Sequence, residues 1–287
     1  MTAPDSGKKN RDMLTAIARM QARGEKKQNR LSWLDGELKV SEMGPVVYFV
    51  GCVPFADLIF GRQVEHSIIE IPRASVRLLN SVGVKPVVLA DEVCCGLDAF
   101  IGMDVDTVNG LAEKNIGLFE AVGARTIVAT CSAGVMMLKK YSELGFDHGC
   151  EVLHLVDFLA GKMPKFALPP KTGILTCTGH DAVDGGREHN VSRLSDLVSD
   201  YVDINRLVEE PMDCCGTEWL PRDAAARSRI DRLIEAADGA GCERILTLCP
   251  KCLISLKFAT RPGTWVKSAI DVQDLILFIA KNLGKKV

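Results

Sequence analysis

Nine cysteines of this 287-residue chain fall into two sets whose spacing repeats. The second set is Cys177, then Cys214-Cys215-Gly216, then Cys249-Pro250-Lys251-Cys252. It brings five thiols from three stretches. The first set is Cys52, Cys94-Cys95-Gly96 and Cys131, with Gly134 where the second set has Cys252. Cys52 to Cys94 is 42 positions and Cys177 to Cys214 is 37; Cys95 to Cys131 is 36 and Cys215 to Cys249 is 34. Thiolates bind soft metals, and a spacing like that of Cys249 and Cys252 lets one loop give two ligands to one centre. A tetrahedral zinc site takes four ligands, not five. Neighbouring side chains such as Cys214 and Cys215 point in different directions, which suits a multi-iron cluster better than a small ion. A glycine after the pair lets the backbone pass close to inorganic sulfide. Taken singly, Cys249–Cys252 also reads as half a zinc knuckle or a redox dithiol. Cys-Cys-Gly alone also reads as buried core thiols. The full set, occurring twice in register, favours the cluster.

Other reactive residues carry less. Cys150 and Cys242 lie outside the register and read as core or surface thiols. His66, His148, His154, His180 and His189 include no His-x-x-x-His pair. His180 and His189, with Asp181, Arg187 and Glu188, follow Cys177, where they would move protons or steer an anion. The plainer reading is solvated loop charge. Gly185-Gly186 is weak evidence for an anion nest, and no GxGxxG or Walker motif is present. Lys251 between two thiols offsets cluster charge. Arg222 and Arg227–Arg229 read as solvated helix faces.

These thiols must be positioned by alternating strands and helices. The expected first-half elements are a strand at 46–50, a helix over 63–80, a strand at 85–90, a helix over 107–122, a strand at 125–129, a helix after Cys131 and another over 151–161. Pro164, Pro169 and Pro170 mark 162–171 as an inter-domain linker. The second half reads as a strand at 173–176, a helix over 188–200, a helix over 222–238, a strand at 244–248 and a helix over 271–283. The repeat also sets Asp157 in register with Asp274. The fold class is therefore α/β, with two pseudo-symmetric domains, each a short parallel sheet flanked by helices. The cysteines sit just past the strand C-termini, the edge where open parallel sheets bind ligands. The boundaries expected are a basic extension over 1–44, a first domain over 45–163 and a second over 170–287.

Composition excludes other classes. Hydrophobic residues make up 47% and charged residues 25%, which is globular rather than disordered. A net charge of −2 advertises neither nucleic acid nor a membrane surface. No run of about 18 apolar residues exists to span a bilayer. The first residues lack the apolar core of a secretory signal, so a cytoplasmic location is expected. Eleven cysteines in a reducing compartment point to metal or redox chemistry rather than structural disulfides. The basic N-terminal stretch, with a helix expected over 11–23, reads either as a docking arm or as a solvated leader.

The pattern Cys, 36 residues, Cys-Cys-Gly, 32 residues, Cys-Pro-x-Cys resembles that of the CCG-domain (cysteine-rich domain) family, over about residues 46–285. That family includes the B-type subunit of heterodisulfide reductase and the iron–sulfur subunits of glycolate and lactate oxidases. The resemblance implies a non-cubane [4Fe-4S] cluster on Cys177, Cys214, Cys215, Cys249 and Cys252. The first half departs from that pattern: Cys52, Cys94, Cys95 and Cys131 match but Gly134 replaces the fifth thiol. A second, atypical cluster is expected there, either ordinary or altered, or non-cubane with an open iron site. The alternative is that this half has lost its metal and kept its thiols as packing. Catalysis would be cluster-based, acting on disulfide or sulfane sulfur. Electrons would pass through a ferredoxin-like iron–sulfur subunit and a flavin subunit. Departures in one half resemble those of the heterodisulfide reductase-like complex of sulfur oxidisers, which implies a substrate on a lipoyl carrier protein. Two other readings are an electron-relay subunit of a hydroxy-acid oxidase-like complex and a zinc-stabilised interaction protein.

Overall fold

The computed structural model describes residues 6–24, 30–62, 68–176, 191–208 and 224–283, with side chains from residue 14 onward. In the first half the order is α1 (Ser6–Arg23), β1 (Val46–Phe49), α2 (Val53–Phe60), α3 (Glu70–Ser81), α4 (Leu97–Ile101), α5 (Val105–Ala121), β2 (Thr126–Ala129), α6 (Ser132–Glu143), β3 (Glu151–His154) and α7 (Leu155–Leu159). The remainder contributes β4 (Phe166–Ala167), β5 (Thr172–Leu175), α8 (Leu194–Leu197), β6 (Val198–Ser199), β7 (Val202–Asp203), α9 (Ala224–Gly239), β8 (Arg244–Thr247), α10 (Pro250–Thr260), β9 (Asp271–Asp274) and α11 (Leu275–Asn282).

Two separate parallel sheets carry the same topology. The second-half sheet runs β7-β5-β8-β9. The first-half sheet runs β1-β2-β3, and Val87 adds a single parallel bridge to Val47 on the free side of β1. The Val87 carbonyl accepts the Tyr48 amide, and the Val87 amide donates to Val46. Register makes the equivalence explicit: Val46 pairs with Thr126 and Thr126 with Glu151, as Thr172 pairs with Arg244 and Arg244 with Asp271. Each half is thus an α/β unit of order 2-1-3-4. Its chain direction switches sides between the first and third strands, which opens a crevice at their C-terminal ends.

The core follows from strand alternation. Val47, Phe49, Ile127 and Ala129 face one apolar cluster with α5 and α6. Tyr48, Val50 and Val128 face the other way, into a cluster that continues through Ile174, Leu246 and Val272 of the second half. Both faces of the sheet are buried, as a parallel sheet requires. Ile71, Leu78 and Leu79 of α3 pack against Leu275, Ile276 and Ile279 of α11.

Several expected elements differ. Residues 151–154 and 271–274 are strands, not the first turns of helices, because each completes a sheet edge before the chain turns helical. The expected strand at 85–90 is reduced to isolated bridges of Val87 with Ser41 and with Val47, since Pro86 has no amide to donate and the chain leaves the sheet. Within 162–171 lies β4, which pairs with β6. The helix expected over 188–200 is α8 alone within the described residues, and Val198 and Ser199 turn into β6. The stretch expected as 1–44 contributes buried residues Leu14, Ala18, Trp33 and Leu38 to the core. No helix among the described residues is long and apolar enough to cross a membrane.

Candidate metal centre

Three strands deliver their thiols in one way. Cys52 follows β1 and is the N-cap of α2; Cys131 follows β2 and caps α6; Cys249 follows β8 and caps α10. Pro54 and Pro250 open two of these helices, where proline's fixed φ fits and its missing amide costs nothing. Each thiol therefore sits on the positive end of a helix of eight or more residues, where anions are stabilised. Cys52 and Cys131 flank the switch-point crevice of the first half.

Cys94 and Cys95 arrive on a loop held by polar side chains. Gln21 Oε1 accepts the Cys94 amide, and Asn115 Nδ2 donates to the Cys94 carbonyl. Tyr141 donates its hydroxyl to the Cys95 carbonyl at 2.9 Å. Gly96 then turns at φ +90°, a conformation open to glycine and strained for other residues, and its amide reaches Cys94 Sγ at 3.4 Å. The Cys52 loop has its own frame. Glu92 accepts the amides of Val50 and Gly51, while Arg30 donates to Glu92 and to the Gly51 carbonyl. Burial pushes the Glu92 carboxyl up to about 7, against the pull of Arg30 and the two amides.

Two thiol pairs come close, the second of them across the two halves. Cys52 Sγ lies 3.2 Å from Cys94 Sγ, and Cys131 Sγ lies 3.7 Å from Cys249 Sγ. A small cavity beside them is lined by Cys52, Cys95, Cys131, Asp98, Gly134, Pro250 and Lys251. Lys251 Nζ donates to Asp98 Oδ1 at 2.9 Å, and both side chains are buried. Burial alone would discharge the ammonium, but Asp98 and the Cys131 and Cys52 sulfurs outweigh it and hold its pKa above the usual lysine value. Lys251 thus faces the first-half thiols as well as belonging to the second-half loop that its place in the sequence assigns it to. Gly134 leaves its side of the site open: a Cβ there would meet Cys131 Cβ at 3.5 Å and Sγ at 3.8 Å.

Hydrogen bonds from Cys52 and Cys95 hold Cys94 well below the usual thiol range. The same sulfur contacts, then burial, push Cys52 and Cys95 well up; contact with Cys249, then burial, does so for Cys131. The pocket by itself favours one thiolate among several thiols. A cationic thiophilic group would deprotonate the rest, so the donor set fits a metal cluster. Among the described residues no three His, Cys, Asp or Glu side chains are placed to hold a single ion.

Cys177, Cys214, Cys215 and Gly216 lie outside the described residues, as do His66, His180, Asp181, Gly185, Gly186, Arg187, Glu188, His189 and Arg222. Cys252 is buried in the first turn of α10. Cys150 and Cys242 stand before β3 and β8, at the opposite sheet edge, and Cys150 Sγ donates to the Ala124 and His148 carbonyls. Cys150 therefore does not stand in for the thiol absent at Gly134. His154 is buried; its Nε2 donates to Leu248 O at 3.0 Å and its Nδ1 accepts the Val156 amide, which fixes one neutral tautomer. Burial lowers its pKa.

Two parallel α/β units with thiols at their switch points define a tandem cysteine-rich protein. Residues 46–139 and 176–257 match the cysteine-rich domain family designated CCG, and the chain belongs to it. It is 26% identical over 278 residues to the D subunit of the dihydromethanophenazine:CoB–CoM heterodisulfide reductase of Methanosarcina acetivorans, covering 91% of this chain and 64% of that protein. The Methanosarcina barkeri counterpart is 26% identical over 277 residues, with 90% of this chain and 63% of its own length covered. An iron–sulfur protein of Methanocaldococcus jannaschii is 22% identical over 252 residues, with 84% of this chain and 47% of its length covered. The chain thus spans less than two thirds of these relatives.

Proposed function

We propose that this chain is an iron–sulfur redox subunit of a heterodisulfide reductase-like complex. Cys52, Cys94, Cys95 and Cys131 hold an atypical cluster in the first half. Cys177, Cys214, Cys215, Cys249 and Cys252 hold a non-cubane [4Fe-4S] cluster in the second. The observation that carries this reading is the delivery of thiols from equivalent strand ends of both halves onto helix N-termini at one partly buried locus. Such a cluster supplies one-electron exchange with substrate sulfur. The chain's own groups hold the thiolates in place through Gln21, Asn115 and Tyr141, and keep the crevice largely apolar through Phe49, Val53 and Leu97. Electrons pass between the site and a ferredoxin-like iron–sulfur subunit and a flavin subunit. The substrate is a disulfide or sulfane sulfur, carried on a lipoyl protein in sulfur oxidation.

Anaerobic purification tests this directly. The expected protein is brown, absorbs near 400 nm and contains iron and acid-labile sulfide. Cys214→Ser should remove the second-half iron and leave the first-half content unchanged. A colourless protein, or iron and sulfide unaltered by that substitution, would overturn the assignment. Turnover of a disulfide by the assembled complex, lost in Cys252→Ser, separates sulfur chemistry from electron relay.

A further inference from the structure

We propose that Lys251, carried by the second-half helix α10, is the charge-compensating positioning residue of the first-half centre, at the side Gly134 leaves without a thiol. This rests on the cluster reading above. In sequence Lys251 stands between Cys249 and Cys252, yet it lines the same cavity as Cys52, Cys95, Cys131 and Gly134. It is held there by Asp98, which follows Cys94-Cys95-Gly96 on α4, with Nζ and Oδ1 2.9 Å apart. A buried ion pair survives only with fixed geometry, since each charge is costly to desolvate alone.

The two halves are not reciprocal in this respect. Cys131 and Cys249 occupy equivalent places after β2 and β8, so Ala133 stands where the second half has Lys251, and Gly134 where it has Cys252. The first half offers no cation from this helix position to the second. A set of four thiolates carries one negative charge fewer than a set of five, and the Lys251 ammonium makes the first-half locus more positive again. A more positive surrounding favours the reduced form of a redox group, so the first-half centre should have its potential raised by Lys251. The same side chain ties the first-half centre to the helix that carries two second-half thiols.

The test reads each centre separately. In a Cys214→Ser background only the first-half centre remains, and in a Cys94→Ser background only the second. Iron content and midpoint potential, followed by electron paramagnetic resonance during an anaerobic redox titration, are compared for Lys251, Lys251→Met and Lys251→Arg. Lys251→Met combined with Asp98→Asn removes both charges and so avoids a lone buried carboxylate that would disfavour folding. The expected result is a downward shift of the first-half potential in Lys251→Met and a smaller one in the double variant, where loss of the Asp98 charge offsets part of it, with iron retained in both. Lys251→Arg should restore it, and the second-half potential should move less. An unmoved first-half potential, a shift confined to the second-half centre, or equal iron loss in the Met and Arg variants would overturn the inference while leaving the cluster assignment standing. A wild-type protein without iron would overturn both.

Discussion

At the scale of single residues, the asymmetry between the halves lies at Gly134. The backbone there is helical, and an added Cβ meets only Cys131, at ordinary contact distances. A thiol can therefore be added without crowding. Replacing glycine inside a helix should also recover a few tenths of a kcal/mol, up to about 1 kcal/mol. Gly134→Cys is expected to leave the unfolding midpoint unchanged or slightly raised, alter the spectrum of the first-half centre and depress turnover. Spectra and turnover both indifferent to the substitution would mean that the open position has no role. The thiols were legible in the sequence because cysteine is scarce and its spacing repeats. Their supports were not. Gln21, Glu92, Asn115 and Tyr141 are common residue types, and the atoms they hold lie up to 73 positions away, as Gln21 does from Cys94. Asp98 was equally hidden, because its partner Lys251 lies 153 positions along the chain.

At the scale of elements, β3 and β9 show where periodicity misleads. Each is a four-residue strand that runs into a helix with no intervening turn residue, so the apolar pattern reads as one helix. The junction is made by a capping side chain, His154 in the first half and Asp274 in the second. Sheet register makes these two equivalent, each paired to the last residue of the neighbouring strand. Asp157, the residue the repeat aligned with Asp274, instead accepts the amides of Ser192 and Arg193. Asp274 accepts the amides of Ile276 and Leu277, yet burial pushes its carboxyl from 3.8 up to about 7. A raised folded pKa means that the folded state keeps a proton the unfolded chain has lost. The stability it contributes is full below about pH 4 and is lost as pH rises towards 7. Asp274→Asn keeps the acceptor and does not titrate. Its stability relative to wild type should therefore grow between pH 4 and 7 and level off above, as read by urea unfolding at pH 5 and pH 8. A difference independent of pH would refute the buried-proton account. Asp274→Ala should lie about 1 kcal/mol below Asp274→Asn at both pH values, because the cap is lost.

At the scale of the whole molecule, the repeat correctly suggested two like units but not how closely they are joined. Repetition in sequence carries no record of the surface between its copies. Here that surface is a continuous apolar core, in which Ile71, Leu78 and Leu79 of one half meet Leu275, Ile276 and Ile279 of the other. Fully burying each such side chain is worth about 1.5–3 kcal/mol, so cutting the chain exposes surface of the same order as a domain's net stability. The polar links cross the same boundary: His154 and Ser132 both donate to Leu248 O, Cys131 meets Cys249, and Asp98 holds Lys251. A fragment of residues 1–163 should therefore lose the buried environment of Tyr48 and of the Cys131 thiol together. Produced alone, it is expected to aggregate or to unfold without a cooperative transition. Co-expression with residues 164–287 should restore a soluble pair that elutes together at the size of the intact chain. Cys131 then becomes the reporter: a thiol probe should label it rapidly in the lone fragment and slowly in the restored pair. A fragment that melts cooperatively by itself, with Cys131 still protected, would show that the first half carries its own core and that the shared apolar surface is only a contact between finished domains.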